Sequence, residues 1–261
     1  MINISLFNQK GGVGKSTSLV NIAATFSKMN KKVLVVDCDY QKTASDYLLT
    51  YVDTDKSIND YFTGADINTC LVDVITIKSI SKKELIPTNI TVLPSCKNIE
   101  TLEMNSVYEI KELLEKIKGK YDYCFFDLPA HLSGTSLCAL VASDYVIVPA
   151  NADTDSLKGY NDLIDTINQI KSNGWNTSLS VLGILYNDVN TVISYQKYIL
   201  EQTQSNMRDL VFPTIIKTRS KIGTARFFGV PFPYSNLDKK IENDYKSVAK
   251  EIEKRIRKWQ K

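Results

Sequence analysis

The chain has 261 residues, 43% of them hydrophobic and 23% charged, with a formal net charge of +3. That length buries a core without disulfide or metal staples, no run approaches the ~18 apolar residues of a membrane span, and the opening MINISLFNQK lacks the basic-then-apolar order of a secretory signal. The expected location is therefore the cytoplasm, and the five cysteines, at 38, 70, 96, 124 and 138, stand singly without CxxC or disulfide-scaffold spacing, Cys38 and Cys124 reading as small buried hydrophobes.

The first predicted strand is INISLF (2 to 7), and the loop NQKGGVGKST (8 to 17) leads from it into a helix with the apolar stripe Leu19, Ile22, Phe26 and Met29. Further strands are predicted at KVLVVD (32 to 37), ITVLPS (90 to 95), YCFFDL (123 to 128), YVIVPA (145 to 150) and SVLGILY (180 to 186), with a short one near LVFPTII (210 to 216). Most are unbroken β-branched and aromatic runs, the pattern of strands covered on both faces of a parallel sheet. Helical stripes recur at Val107, Ile110, Leu114 and Ile117, and at Leu157, Tyr160, Ile164, Ile167 and Ile170. From about Thr50 to Thr88 no period is clear, and no elements are assigned. Alternating strands and helices without linker or repeat predict one α/β domain over 1–261. Its core is a single doubly wound, mostly parallel sheet with helices on both faces and ligands at the carboxyl ends of the strands.

The loop departs from the strict phosphate-binding pattern of glycine, four residues, then Gly-Lys-Ser/Thr. It supplies Gly14, Lys15 and Ser16, but Gln9 stands where the first glycine belongs and a second lysine, Lys10, lies inside. Its place between a strand and a helix is the context that pattern requires. Gly11, Gly12, Val13 and Gly14 let successive backbone N–H groups converge on phosphate oxygens with the positive helix end behind them. Lys15 is placed for the β and γ phosphates and Ser16 for Mg²⁺, so the candidate ATP-binding segment runs from Lys10 through Thr17. Metal and water need acids as well. VVDCDYQKTAS ends a strand with Asp37 and Asp39, and CFFDLPAHLSG sets Asp127 after an apolar run, as a Walker B aspartate is set. A strand-end aspartate is commonly a helix cap; three beside one loop point instead to a metal–nucleotide site, with Ser16, Asp37 and Asp127 as the expected metal ligands.

KGGVGKST, VDCDYQKTAS and FFDLPAHLSG together resemble the ParA/Soj family of partition ATPases, whose deviant Walker A motif carries a lysine just before the glycine pair. ALVASDYVIVP, DTDSLKGY and FPTIIKTRSKIGTA extend the likeness over nearly the whole chain. The resemblance implies a P-loop ATP hydrolase, weak alone and stimulated by a partner, that uses ATP and Mg²⁺. Two monomers would sandwich two ATP molecules, with the lysine matching Lys10 crossing to the partner's nucleotide much as an arginine finger does. It implies catalytic roles for Lys10, Lys15 and the water-positioning Asp39, and base contacts from Asn187 in YNDVN and Pro213 in VFPT. The sequence departs from the family at Tyr40 and Ala130, where prolines are usual. Both lie in switch segments, so they bear on hydrolysis and not on nucleotide binding. His131, the only histidine, is expected to pack or hydrogen-bond and not to catalyse.

The last fifth differs in charge. From Lys217 to Lys261 there are 13 Lys and Arg against 5 Asp and Glu, on an otherwise mildly acidic chain, which predicts a polyanionic partner. The resemblance makes that partner nonspecific double-stranded DNA, and the candidates are Lys217, Arg219, Lys221 and Arg226, then Lys250, Lys254, Arg255, Arg257 and Lys258. The expected function is plasmid or chromosome partition by an ATP-dependent homodimer, cytoplasmic and nucleoid-associated, with hydrolysis stimulated by a ParB-like centromere-binding partner. Because the loop opens within the first strand, no N-terminal helix-turn-helix domain is expected. Two readings compete. Ile241, Tyr245, Val248, Ile252, Ile256 and Trp259 form a stripe beside a basic face, similar to the membrane-surface helix of the division-positioning MinD. Four acidic residues interrupt that stripe and its spacing suits docking on its own domain, so no membrane contact is expected. An iron–sulfur reductase of the nitrogenase iron-protein type shares the lysine-bearing loop but needs a cysteine shortly after Asp127, and LPAHLSGTSLC puts Cys138 too far along.

Overall fold

The computed structural model describes residues 1–259, apart from the side chains of residues 156 and 157; Leu157 of the third stripe and Lys261 of the basic tail therefore fall outside the description. Seven strands, β1 (Ile2–Leu6), β2 (Val33–Asp37), β3 (Val72–Ile77), β4 (Leu85–Leu93), β5 (Tyr123–Asp127), β6 (Tyr145–Ala150) and β7 (Ser180–Tyr186), form one sheet in the order β3-β4-β2-β5-β1-β6-β7. Every pairing is parallel except β3 with β4. The doubly wound, mostly parallel sheet read from the sequence is thus the fold.

The helices are α1 (Lys15–Lys28), α2 (Thr43–Leu48), α3 (Ile58–Phe62), α4 (Ile67–Cys70), α5 (Glu109–Lys116), α6 (Gly134–Ala142), α7 (Thr154–Ser172), α8 (Ser194–Asn206), α9 (Ser220–Phe227), α10 (Phe232–Ser235) and α11 (Lys239–Trp259). Because side chains alternate along a strand, successive residues of the unbroken runs feed two cores. Val36, Phe126 and Val148 pack under α5, α6 and α7, while Val35, Phe125 and Ile147 pack under α1 and α11. Leu19, Ile22 and Phe26 of α1 meet Ile241, Tyr245, Val248, Ile252 and Ile256 of α11 in that second core. The final apolar stripe is consequently buried against the chain's own sheet, and only Trp259, 59% exposed, stands off it.

Three expectations are corrected. The unassigned stretch holds the edge hairpin β3–β4, and β4 begins at Leu85, well before 90. Its first half alternates between exposed and half-buried positions, as an outer strand does, and so lacks the buried-run signal. The strand expected at 210 to 216 is instead an irregular segment touching the sheet through two isolated parallel bridges, Ile184 with Val211 and Val189 with Lys217. Pro213, with no N–H to donate, lies between them. On α7 the sheet-facing position is Leu163 rather than Ile164, which is half-buried.

Candidate nucleotide site

Register assembles the site. Leu6 lies opposite Asp127, and Asp127 opposite Asp37, so the carboxyl ends of β1, β5 and β2 stand side by side. From β1 the chain curls back over this edge and enters α1 at Lys15. Gly12 and Gly14 have φ of 75° and 80°, a left-handed backbone that glycine adopts without cost. α1 starts with no side-chain cap and no acidic residue in its first turn, so its leading N–H groups and positive end are suited to an anion. The Lys15 side chain is 8% exposed, and its Nζ donates to the carbonyls of Asn8 at 3.3 Å and Lys10 at 3.2 Å. Burial lowers its pKa, against the pull of Asp127 and Asp39.

Asp127 is fully buried and neither carboxylate oxygen has a hydrogen-bond partner. Burial first, then the charge of Asp37, pushes its pKa well up. The neighbouring Ser16 hydroxyl favours the charged form without closing a bond of good geometry, and Lys15 adds to that effect. Two carboxylate oxygens sealed from water next to a hydroxyl are a costly arrangement that a hard cation relieves. Among the described residues no cluster of three or more His, Cys, Asp or Glu could hold a metal ion. Asp37 has a different job from the one expected. Its Oδ1 accepts the Asp39 N–H at 3.0 Å, and its Oδ2 accepts the Ser45 N–H at 2.8 Å and hydroxyl at 2.7 Å. Both oxygens thus anchor the segment 38–45; burial nonetheless raises the pKa of Asp37.

The cleft above this edge has a volume of about 560 Å³. Its floor is Gly11 to Thr17 without Val13, its rim is Asp39, Tyr40, Pro129, Ala130 and His131, and its far wall is Asn187, Ile216, Lys217, Arg219 and Arg226. Asp39 accepts the Gln41 N–H at 2.9 Å, and His131 Nε2 lies 3.0 Å from Glu100 Oε1. Asn187 is 4% exposed and donates from Nδ2 to the Val13 carbonyl at 3.3 Å, which ties the end of β7 to the loop. Pro213 does not reach the cleft. It lines a separate groove with Phe212 and Arg255, because the two bridges put Lys217, four residues later, level with Val189, three residues past the end of β7. Ile216 and Lys217 line the cleft instead.

Lys10 is folded onto its own chain: Nζ lies 2.6 Å from Asp153 and 4.0 Å from Asp155, at the junction of β6 and α7. The basic region divides. Lys217, Arg219 and Arg226 line the cleft, Lys221 pairs with Asp238 at 3.0 Å, and Lys250, Lys254, Arg257 and Lys258 are exposed on α11. Arg255 leaves the DNA-contact set. Its Nη atoms donate to the carbonyls of Leu182, Leu210 and Val211 at 2.8 to 2.9 Å, its Nε lies 3.0 Å from Glu251, and its guanidinium sits 4.4 Å from the Phe212 ring centre. Sequence reasoning missed the roles of Ser45, Asp153, Ile216 and Arg255. Only Asp153 had a signal, the acid pair opening DTDSLKGY.

A family model described as AAA domain matches residues 1–181. Over 252 residues the chain is 29% identical to the sporulation initiation inhibitor protein Soj of Bacillus subtilis, covering 95% of this chain and 97% of that one. Over 246 residues it is 29% identical to the chromosome-partitioning ATPase Soj of Treponema pallidum, covering 94% of each. The solved ATP complex of Cyanothece McdA is similar in fold, with a TM-score of 0.81 at 17% identity over 97% of this chain and 96% of that one.

Proposed function

This chain belongs to the AAA-domain family and, within it, to the ParA/Soj partition ATPases, and from that premise we propose that it is an ATPase that dimerises around Mg-ATP, holds nonspecific duplex DNA and drives partition of a plasmid or chromosome. The observation that carries this reading is the unpartnered Asp127 carboxylate beside Ser16, under an uncapped helix start. Mg²⁺ held by Ser16, with Asp127 behind it, would neutralise charge on the terminal phosphates. The rest falls to the chain's own groups. The α1 N–H groups and Lys15 donate to phosphate oxygens, Asn187 and Ile216 bound the base side of the cleft, and Asp39 at the rim orients the attacking water.

Lys10 acts between chains. Its pair with Asp153 is partly solvated, the side chains being 26% and 30% exposed, so giving up Asp153 for a partner's phosphates costs on the order of 1 kcal/mol. A lysine presented only by a second chain makes hydrolysis depend on the dimer, and a ParB-like centromere-binding protein would act on that assembly. Among the described residues no helix is long and apolar enough to cross a membrane; the packing of the α11 stripe into the chain's own core supports the DNA-held reading over a MinD-like role resting on that stripe.

Two variants test the reading. Lys15→Ala should bind ATP much more weakly, whereas Lys10→Ala should bind ATP and stay monomeric by light scattering. A Lys10→Ala protein that dimerises with ATP would sink the sandwich, and retention of the ATP form by liposomes in place of DNA would favour the membrane role.

A further inference from the structure

We propose that Phe227 is a base-stacking contact, so that α9 holds nucleic acid by an aromatic wedge as well as by its cations; this rests on the DNA-binding reading above. Phe227 is 85% exposed, a large apolar ring left in water at the end of a helix. Its ring neighbour is Phe228, 39% exposed, met edge-on at 5.3 Å and 86°.

The pair is held rigidly. The helix closes through Phe228 N–H to the Thr224 carbonyl, Gly229 N–H to the Arg226 carbonyl and Val230 N–H to the Ala225 carbonyl. Gly229 has φ 61°, and a Cβ there would collide with Thr50, so the turn is pressed onto the end of α2. The Tyr51 hydroxyl donates to the Phe228 carbonyl at 2.7 Å. A ring whose backbone is fixed in this way meets a ligand with little further loss of freedom.

Charge identifies the occupant. The segment 217–228 carries Lys217, Arg219, Lys221 and Arg226 and no acidic residue. On α9, Ala225 faces the core, and helical spacing sets Phe227 on the opposite side with Arg226 the next residue round the helix, while Lys221, four residues before Ala225, lies toward the core side and is tied to Asp238. A two-fold contact between copies centred on this helix would set Lys217, Arg219 and Arg226 against themselves, Lys221 being paired with Asp238, whereas a polyanion meets them favourably. Exposed aromatics among cations are what nucleic acid uses: phosphates pair with the cations, and an unstacked base or opened step takes the ring.

Salt dependence separates the two contributions, because phosphate contacts release counterions and stacking does not. The probe is a labelled random-sequence duplex, with and without an unpaired bulge, titrated by the ATP-bound full chain over a series of salt concentrations. Phe227→Ala should weaken binding roughly 5- to 100-fold with the slope of log affinity on log salt unchanged; Phe227→Tyr should restore it, and the bulge should tighten wild type more than Phe227→Ala. Arg219→Ala should instead flatten the slope by about 0.9. Unchanged affinity in Phe227→Ala overturns the wedge, as does a flattened slope. So does loss of ATP-dependent dimerisation, which would give the ring to a second copy, or loss of binding to anionic vesicles that wild type holds. Wild type that binds no DNA at all defeats the DNA-binding reading itself, a separate result.

Discussion

The two walls of the cleft are built on different terms. Along the carboxyl edge of the sheet, register alone puts Asp127 beside Asp37 and the end of β1, so a residue's role follows from its place on its strand. The wall beyond Val211 hangs on two bridges and short helices, and there cations of one composition serve several ends. Three line the cleft, one is paired to Asp238, and one is spent on backbone carbonyls. A charge count names the class of partner; what a given cation does depends on which acceptors the fold has already given it.

The sharpest test of that difference is Arg255. Replacing it with Met keeps the stem but strips donors from three carbonyls, of which Leu210 keeps the Ile184 N–H, at about 1 to 3 kcal/mol for each one left unsatisfied. We expect a loss of roughly 3 kcal/mol in urea unfolding, with the DNA affinity of the folded protein unchanged. Unaltered stability with weakened DNA binding would return Arg255 to the nucleic-acid face. Next, on the ordered wall, Lys15→Ala should weaken ATP binding by roughly 10- to 150-fold, the worth of a charge-assisted hydrogen bond, read by calorimetry. Asp153→Ala comes third. Freeing Lys10 from a partly solvated pair should strengthen the ATP-dependent dimer by at most about fivefold, measured by sedimentation at low protein concentration; a weaker dimer would show that Asp153 positions Lys10 rather than restraining it.

The same contrast explains how much could be read from the sequence. Val35, Phe125 and Ile147 sit in runs buried on both faces, so the inner strands and the acids at their ends were legible from local pattern. β3 and the first half of β4 form an edge whose exposed residues erase that pattern. The misplacement of Pro213 has a related cause, for the irregular segment 211 to 217 carries no period from which its level against β7 could be counted. Ser45 and Asp153 are partners by tertiary contact alone. Their hydroxyl and carboxylate meet Asp37 and Lys10 across eight and 143 residues of sequence, and although the acid pair of DTDSLKGY marks Asp153, nothing local names the partner.

The smallest expected effect is the most specific to the irregular wall. Arg219 and Lys221 lie two residues apart, yet Lys221 is tied to Asp238 at 3.0 Å while Arg219 lines the cleft. If each reaches a phosphate, Lys221 must first give up Asp238, and that exchange cancels part of its gain. Lys221→Ala should therefore weaken DNA binding less than Arg219→Ala does, and Asp238→Asn should strengthen it by about two- to fivefold, the range of an exposed ion pair. The Asp238→Asn gain should vanish in the Lys221→Ala background, since nothing remains for the aspartate to hold. A gain that persists there would assign Asp238 to general repulsion of the polyanion, and the wall would then act through its summed charge instead of its individual pairings.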